Sequence, residues 1–193
     1  MGKATDDTVL KIGIMGAGAI GLYVGGMLAQ SGARVVFAAR GRTLASVQRG
    51  LSLSRYDGFK ATLKPEQYEV GSAGDLAGCP IVLFCTKSGD TEAAALELAK
   101  ALQPGATVIS LQNGVGNVEM LKRLLAPQEV VAGTVPFNVF RLSPNAVHCS
   151  MEGRVLVGPS KASTRLASLA EASHLQVQVH DNLDAMQWGK LLL

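Results

Sequence analysis

The segment KIGIMGAGAIGLYVGGMLAQSGARVVFAARGR, residues 11–42, has the sequence pattern that is most informative about the fold of this chain. It carries no charge over residues 12–33, and such an apolar run is typical of a transmembrane helix, a secretion signal or a globular interior. The high glycine content of this run and the polar pair Gln30–Ser31 argue against a transmembrane helix. Asp6 and Asp7 precede the apolar run, whereas a secretion signal begins with basic residues. We therefore predict a globular fold.

The same segment divides into a strand, a turn, a helix and a second strand. Residues 10–16 predict a buried strand, residues 19–32 a helix that ends at Gly32, and residues 33–39 the next strand. Glycines at three positions of the turn follow the pattern G-x-G-x-x-G. The first permits a tight turn, the second lets a pyrophosphate approach the backbone, and the third lets the helix lie close to the strand. Because free N–H groups at the helix start also attract anions, the segment predicts a dinucleotide site.

The end of the second strand indicates which dinucleotide binds. Enzymes that use NAD usually place an Asp or Glu there, where it holds the ribose 2′-hydroxyl. This chain reads AARGR instead, with Arg40 and Arg42 and no acid. A guanidinium group matches a phosphate in charge and geometry, so we predict NADP, although two solvated loop arginines would give the same pattern. The residues predicted to bind the cofactor at the turn are Gly16, Ala17, Gly18, Ala19, Ile20 and Gly21.

The composition argues against several other kinds of site. The 193 residues carry a net charge of +3 and their basic residues are scattered, so we predict no nucleic-acid partner. Cys79, Cys85 and Cys149 form no C-x-x-C pair, which argues against a disulfide framework or a zinc ribbon and favours a reducing, cytoplasmic location. The 3 histidines lack metal-ligand spacing. We therefore predict no metal. Because the features of residues 11–42 argue against a transmembrane helix, we also predict no membrane partner.

The rest of the sequence alternates between strands and helices. Predicted strands cover residues 51–64 (two strands around Asp57–Gly58), 79–87, 105–112, 129–140, 146–158 (a hairpin pair) and 175–180. Predicted helices cover residues 42–50, 90–102 with Asp90 as N-cap, 117–126, 161–173 and 181–193. The alternation predicts an α/β fold of the Rossmann type, with a doubly wound, mostly parallel sheet and an antiparallel addition near its end. We expect a flexible tail over residues 1–10, a cofactor-binding domain over residues 11–181, and the first helix of a second domain over residues 182–193.

Two further loops are candidates for ligand binding. In sheets of this kind, ligands bind outside the carboxyl ends of the strands, which selects residues 86–88 and 112–116. Lys87 follows a buried strand directly, and Asn113 follows the next one. An ordinary surface lysine at the start of a loop would give the same sequence pattern as a ligand-binding Lys87. An ordinary Asn-Gly turn would likewise give the same pattern as a ligand-binding Asn113. Their places at strand ends make Lys87 and Asn113 candidate site residues.

Several short motifs occur in one order along the chain. They are GAGAIG at 16–21, AAR at 38–40, CTK at 85–87, LQNGVG at 111–116, GT at 133–134, VGP at 157–159 and VHDNLDAMQWGKL at 179–191. Together they resemble the 2-dehydropantoate 2-reductase, or ketopantoate reductase, family over residues 11–193. The set is far more specific than the glycine pattern alone. The resemblance implies the N-terminal NADP-binding domain of that family.

The resemblance also implies an activity and residue roles. The family reduces the small 2-oxo acid ketopantoate to pantoate with NADPH, on the pathway to pantothenate and coenzyme A. By this resemblance, Arg40 and Lys87 hold the adenosine 2′-phosphate. Asn113 positions the nicotinamide ribose and the substrate, and Lys190 is the catalytic lysine. A protonated lysine suits this role, because the developing alkoxide needs both a positive charge and a proton.

The end of the chain departs from the family pattern. The chain stops at Leu193, three residues after Lys190, whereas family members continue into a helical second domain. We therefore expect a truncated chain with little activity alone. Two alternatives stay open: a reductase of another 2-oxo acid, and a non-catalytic NADP-binding module. The apolar end counts against the module, because exposed apolar surface usually needs a partner, although a homodimer could cover it.

Overall fold

The structure is a computed structural model that describes residues 10–113, 116–181 and 183. Within these residues the strands are β1 (Lys11–Met15), β2 (Arg34–Ala38), β3 (Leu51–Arg55), β4 (Lys60–Leu63), β5 (Glu69–Gly71), β6 (Ile81–Phe84), β7 (Thr107–Ser110), β8 (Glu129–Thr134), β9 (Val139–Ser143), β10 (Ala146–Cys149), β11 (Val155–Val157) and β12 (Val177–Val179). The α-helices are α1 (Ala19–Gln30), α2 (Gly41–Val47), α3 (Thr91–Ala101), α4 (Asn117–Leu125) and α5 (Lys161–Ala170).

The larger sheet has the order β12–β11–β8–β7–β6–β1–β2–β5 among the described residues. Its neighbouring strands run parallel except for β8 and β11, which are antiparallel. From β1 the chain builds outward through β2 to β5 and then crosses to β6, on the other side of β1. This reversal leaves a crevice at the carboxyl ends of β1 and β6, where such folds bind ligands. The predicted Rossmann-type sheet with an antiparallel addition is confirmed.

A smaller sheet with the order β4–β3–β10–β9 covers helix α1. The helix contacts β2 of the larger sheet and β3, β9 and β10 of the smaller one. Two adjacent glycines face the two sheets. A Cβ built on Gly25 would lie 2.6 Å from Phe37 Cε1 in β2, and one built on Gly26 would lie 2.9 Å from Cδ2 of Leu51 and of Leu53 in β3. The helix is therefore enclosed on both sides, which explains why its sequence is apolar all round.

This packing accounts for the uncharged segment near the start of the sequence. Helix α1 is 12 residues long and is followed by Gly32, which has a φ of +94° and ends the helix as predicted. Strand β2 begins two residues after that glycine. Among the described residues, no helix is long and apolar enough to cross a membrane.

One predicted pairing is wrong, because residues 146–158 do not form a hairpin pair. Strand β10 pairs with β9 and β3 in the smaller sheet, whereas β11 pairs with β8 and β12 in the larger one. The hairpin instead joins β9 to β10 across Pro144 and Asn145, a connection short enough to hold the two strands side by side. The chain then passes from one sheet to the other over residues 150–154. Apolar strand patterns alone do not indicate which sheet a strand joins.

The remaining predicted elements differ from the structure in detail. The strands around Asp57–Gly58 form the predicted antiparallel pair, β3 with β4. Asp90 precedes α3 as predicted, but its side chain makes no capping hydrogen bond. A 3-10 turn over Ser88–Asp90 leads into the helix instead, and the Asp90 side chain lines a cleft. The predicted tail and second-domain helix fall largely outside the described residues, so the domain boundaries stay predictions.

Gly21→Ala is expected to destabilise the fold, because a Cβ at Gly21 would collide with the carbonyl oxygen of Gly16. Overpacking of this kind typically costs about 1–3 kcal/mol of unfolding free energy. Gly18→Ala is the matched control, since no described atom lies within 4 Å of a Cβ built there. Urea denaturation of both variants measures the difference. Equal stability of the two variants would contradict this account of the close approach of α1.

Candidate functional site

A cleft of about 460 Å³ opens at the carboxyl ends of β1, β2 and β6. Residues 16–18, the glycine turn between β1 and α1, form part of its wall. Arg40, which follows β2, and Thr86 and Lys87, which follow β6, also line it. Small-molecule sites usually have volumes of about 300–1,000 Å³. The cleft thus has a suitable size and lies at the point in the sheet where such folds bind ligands.

The glycine turn presents backbone, not side chains, to the cleft. Gly16 has a φ of +102°, and a Cβ there would lie 2.9 Å from both N and Cγ2 of Thr86. A Cβ on Gly18 would point into open space, as no described atom lies within 4 Å of it. Residues 19–21 begin α1, whose first turn, fully described, has neither a side-chain cap nor an acidic residue. The first N–H groups of the helix are therefore available to an anion.

The walls between the charged groups consist of small or apolar side chains. These are Met15, Ala38, Ala39, Ala73, Ala93 and Ala94. Cys85 also lines the cleft, and burial raises the pKa of its thiol to about 12. The thiol therefore stays neutral at physiological pH and adds no charge to the cleft. Walls of this kind suit an aromatic ring.

Three cationic side chains line the described part of the cleft, namely Arg40, Lys87 and Arg141. Arg40 and Lys87 are exposed at the ends of their strands, which are the positions predicted from the sequence. Arg42 is exposed on α2 but is not among the described side chains that line the cleft. Of the two arginines in AARGR, only Arg40 is therefore placed to meet a ligand here.

Arg141, on strand β9, was not identified from the sequence. Its Nη2 donates hydrogen bonds to Ala17 O and Thr43 Oγ1, each at 3.2 Å. The guanidinium group thus ties the smaller sheet to the glycine turn and to α2, and it brings positive charge to that turn. One signal was available, because Arg141 is the sole Asp, Glu, Lys or Arg between Glu129 and Glu152. That signal gives no indication of contact with a loop 124 residues away.

Two acidic side chains, Asp90 and Glu97, also line the described part of the cleft. Glu97 extends from α3 and forms an ion pair with Arg40. The side chains are 69% exposed for Arg40 and 46% exposed for Glu97, so the pair contributes little to stability. The sequence after β2 contains no acid, but α3 supplies one to the same end of the cleft.

Buried polar side chains hold together the loops that follow β6 and β7. Gln112 Nε2 donates to Thr91 Oγ1 at 2.7 Å and to Thr86 O at 3.1 Å. Thr91 Oγ1 in turn donates to Asn117 Oδ1 at 3.4 Å. Gln112, Thr91 and Asn117 are all less than a tenth exposed. Because buried amides and hydroxyls are costly to leave unpaired, this network fixes the two loops relative to each other.

Asn113 lies beside the loop that carries Lys87. The backbone oxygen of Asn113 accepts hydrogen bonds from Ser88 Oγ at 3.0 Å and from Asn117 Nδ2 at 2.9 Å. The structure therefore brings two of the predicted site residues, Lys87 and Asn113, to one edge of the sheet. Lys190 lies outside the described residues, and its catalytic role stays a prediction.

Thr91→Val is expected to destabilise the protein by about 1–3 kcal/mol, because it leaves buried amide groups with fewer partners. The lost hydroxyl accepts from Gln112 and donates to Asn117. Thr62→Val, at an exposed position of β4, is the control and is expected to change stability by less than about 0.5 kcal/mol. Chemical denaturation gives both values. A Thr91→Val protein as stable as the control variant would show that the network does not hold the loops.

Known proteins with similar sequences agree with the motifs. The 2-dehydropantoate 2-reductase of Pyrococcus horikoshii is 30% identical over 190 residues, which cover 95% of this chain and 60% of that protein. The 2-dehydropantoate 2-reductase of Archaeoglobus fulgidus is 28% identical over 190 residues, which cover 96% of this chain and 61% of that protein. This chain therefore spans about 60% of the length of the curated relatives that it matches.

Solved structures share the fold. A PanE/ApbA family ketopantoate reductase from Ralstonia eutropha JMP134 has a TM-score of 0.87 and 36% identity, over 95% of this chain and 60% of that one. A D-mandelate dehydrogenase, solved with NADH and anilino(oxo)acetate, has a TM-score of 0.77 at 20% identity, over 94% of this chain and 60% of that one, which shows the fold alone. The family profile described as "Ketopantoate reductase PanE/ApbA" matches residues 12–162. The resemblance inferred from the motifs is thereby confirmed, and the chain belongs to the ketopantoate reductase PanE/ApbA family.

Proposed function

We propose that this chain is the cofactor-binding part of an NADPH-dependent 2-dehydropantoate 2-reductase. The reaction is the reduction of ketopantoate to pantoate by hydride transfer, in pantothenate and coenzyme A biosynthesis. Proteins of this family are oxidoreductases that use a nicotinamide cofactor. The observation that carries the proposal is the cleft, which combines an open glycine turn with the cations Arg40 and Lys87.

The residues of the cleft fit a dinucleotide. Gly16 and Gly18 let a pyrophosphate approach the backbone, and the space that a side chain on Gly18 would fill is open. The N-terminus of α1 and the Arg141 guanidinium group supply positive potential at the same turn. The small apolar walls leave room for the adenine ring. The residues proposed to bind the cofactor are Gly16, Ala17, Gly18, Ala19, Ile20, Gly21, Arg40, Lys87 and Asn113.

The cations at the ends of β2 and β6 support NADP over NAD. Arg40 and Lys87 are exposed and line the same cleft, so both are accessible to a phosphate. A phosphate monoester carries close to two negative charges at neutral pH. Arginine binds such a group through two parallel hydrogen bonds, and lysine adds a point charge. We therefore propose that these two side chains hold the adenosine 2′-phosphate.

The chemistry requires a proton donor and an oriented substrate. When bound, NADPH supplies the hydride that reduces the ketone carbon. Asn113 is proposed to orient the nicotinamide ribose and the substrate, from a backbone position that Ser88 and Asn117 hold in place. Lys190 is proposed to stabilise the developing alkoxide with its charge and to donate the proton to that oxygen.

The domain boundaries, the cellular location and the oligomeric state are part of the same proposal. Residues 11–181 are proposed as the cofactor-binding domain and residues 182–193 as the first helix of a second domain, on the resemblance of residues 179–191 to the family motif. We expect little activity from this chain alone. The described cysteines are free thiols, which supports a reducing cytoplasm. Phe140 and Leu142 on β9 are 55% and 66% exposed. Exposed apolar side chains often mark a protein interface, and we propose that a homodimer could cover these two.

Arg40→Ala is expected to remove a preference for NADPH over NADH. Loss of a charge-assisted contact to the phosphate costs about 1–3 kcal/mol of binding free energy. Arg42→Ala is the matched control, because Arg42 is exposed in the same segment but does not line the cleft. Titrations of the three proteins with each nucleotide give the dissociation constants. Failure of both nucleotides to bind, or an equal loss for both in Arg40→Ala, would contradict the NADP site.

Lys190→Ala is expected to lower kcat with ketopantoate about 10²–10⁴-fold and to leave the Kd for NADPH unchanged, since a general acid contributes about that factor. Lys161→Ala, at an exposed position of α5, is the control. The assay follows NADPH oxidation by the protein as its gene encodes it. An unchanged kcat in Lys190→Ala would rule out the catalytic role.

The same assay separates the second candidate function, a reductase of another 2-oxo acid. The D-mandelate dehydrogenase has the same fold, so the fold itself does not determine which 2-oxo acid is reduced. A panel of 2-oxo acids is therefore compared with ketopantoate. Faster turnover of a different acid would replace ketopantoate in the proposal and leave the cofactor site unchanged.

A further inference from the structure

The ion pair between Arg40 and Glu97 lies at the end of the cleft proposed to hold the adenosine 2′-phosphate. Arg40 follows β2, whereas Glu97 comes from the face of α3 that lines the cleft together with Asp90, Ala93 and Ala94. Both side chains are exposed to solvent. An exposed pair of this kind is weak, and a phosphate with a higher negative charge can displace the carboxylate.

The acids of the cleft offset most of its positive charge. The described charged side chains that line it are three cations, Arg40, Lys87 and Arg141, and two acids, Asp90 and Glu97. A phosphate that approaches Arg40 therefore meets a guanidinium group already paired with a carboxylate. Like charges that close repel each other, and separating Glu97 from Arg40 also has a free-energy cost. An acid paired with the arginine of a phosphate site therefore disfavours a phosphorylated ribose.

A carboxylate has the opposite effect on a ribose without the phosphate. In folds of this type, NAD is held by a carboxylate that accepts a hydrogen bond from the ribose 2′-hydroxyl. That carboxylate usually comes from the end of the second strand, and in this chain the sequence there has none. Glu97 supplies a carboxylate to the same end of the cleft from α3.

We propose that Glu97 is a cofactor-specificity residue, which competes with the 2′-phosphate for Arg40 and so lowers the preference for NADPH over NADH. This inference rests on the proposed NADP site. Because Arg40 and Glu97 attract opposite forms of the cofactor, their balance sets the preference. The protein is accordingly expected to bind both nucleotides, with a modest preference for NADPH.

The test is Glu97→Gln, which keeps the size of the side chain and removes its charge. The Kd for NADPH is expected to fall about threefold to tenfold, as for removal of one exposed like charge near a phosphate, and the Kd for NADH is expected to stay equal or rise. Glu92→Gln is the matched control, since Glu92 is exposed on the same helix but does not line the cleft. Titrations at low and high salt add a second readout, because screening should reduce the effect.

The outcomes separate this inference from the proposed function. A rise in the NADH-to-NADPH ratio of Kd values in Glu97→Gln, with no rise in Glu92→Gln, supports the role of Glu97. If the wild-type protein binds NADPH through Arg40 but Glu97→Gln has an unchanged ratio, the role of Glu97 is overturned and the NADP site stands. If the wild-type protein binds neither nucleotide, the proposed function fails and the inference fails with it.

Discussion

The close approach of helix α1 to the turn before it governs how the core and the site are arranged. Gly21 lies so near the carbonyl oxygen of Gly16 that no side chain fits between them. This approach brings the start of α1 to the carboxyl end of β1, next to the part of the cleft that residues 16–18 line. It also allows Gly25 and Gly26 to contact the two sheets on opposite sides. One helix therefore organises both the core and the site.

Elements with local signals could be predicted from the sequence. The strands and helix of residues 11–42, with Gly32 at the helix end, follow from apolar runs and glycine positions. The apolar surface of α1 was ambiguous, because a helix apolar on every side can be buried in lipid or in protein. The smaller sheet resolves that ambiguity. It was not predicted, since its strands come from residues 51–63 and 139–149, which are far apart in the sequence.

The site was predictable only where its residues follow a strand directly. Arg40 and Lys87 follow apolar runs that mark β2 and β6, and the structure places both on the cleft. Arg141 and Glu97 reach the same cleft from an edge strand of the other sheet and from a helix. Their positions depend on how sheets and helices pack, which no spacing rule records. No acid follows β2 in the sequence, but the cleft still contains one beside Arg40, because α3 supplies Glu97.

In the proposed complex this cleft holds NADP, with the pyrophosphate on the glycine turn. The most direct measurement is a crystal structure of the protein with NADP⁺. We expect pyrophosphate oxygens within hydrogen-bond distance of the N–H groups in the first turn of α1, and a 2′-phosphate that contacts Arg40 in place of Glu97. A nucleotide bound elsewhere, or one whose 2′-phosphate lies away from Arg40, would contradict the account.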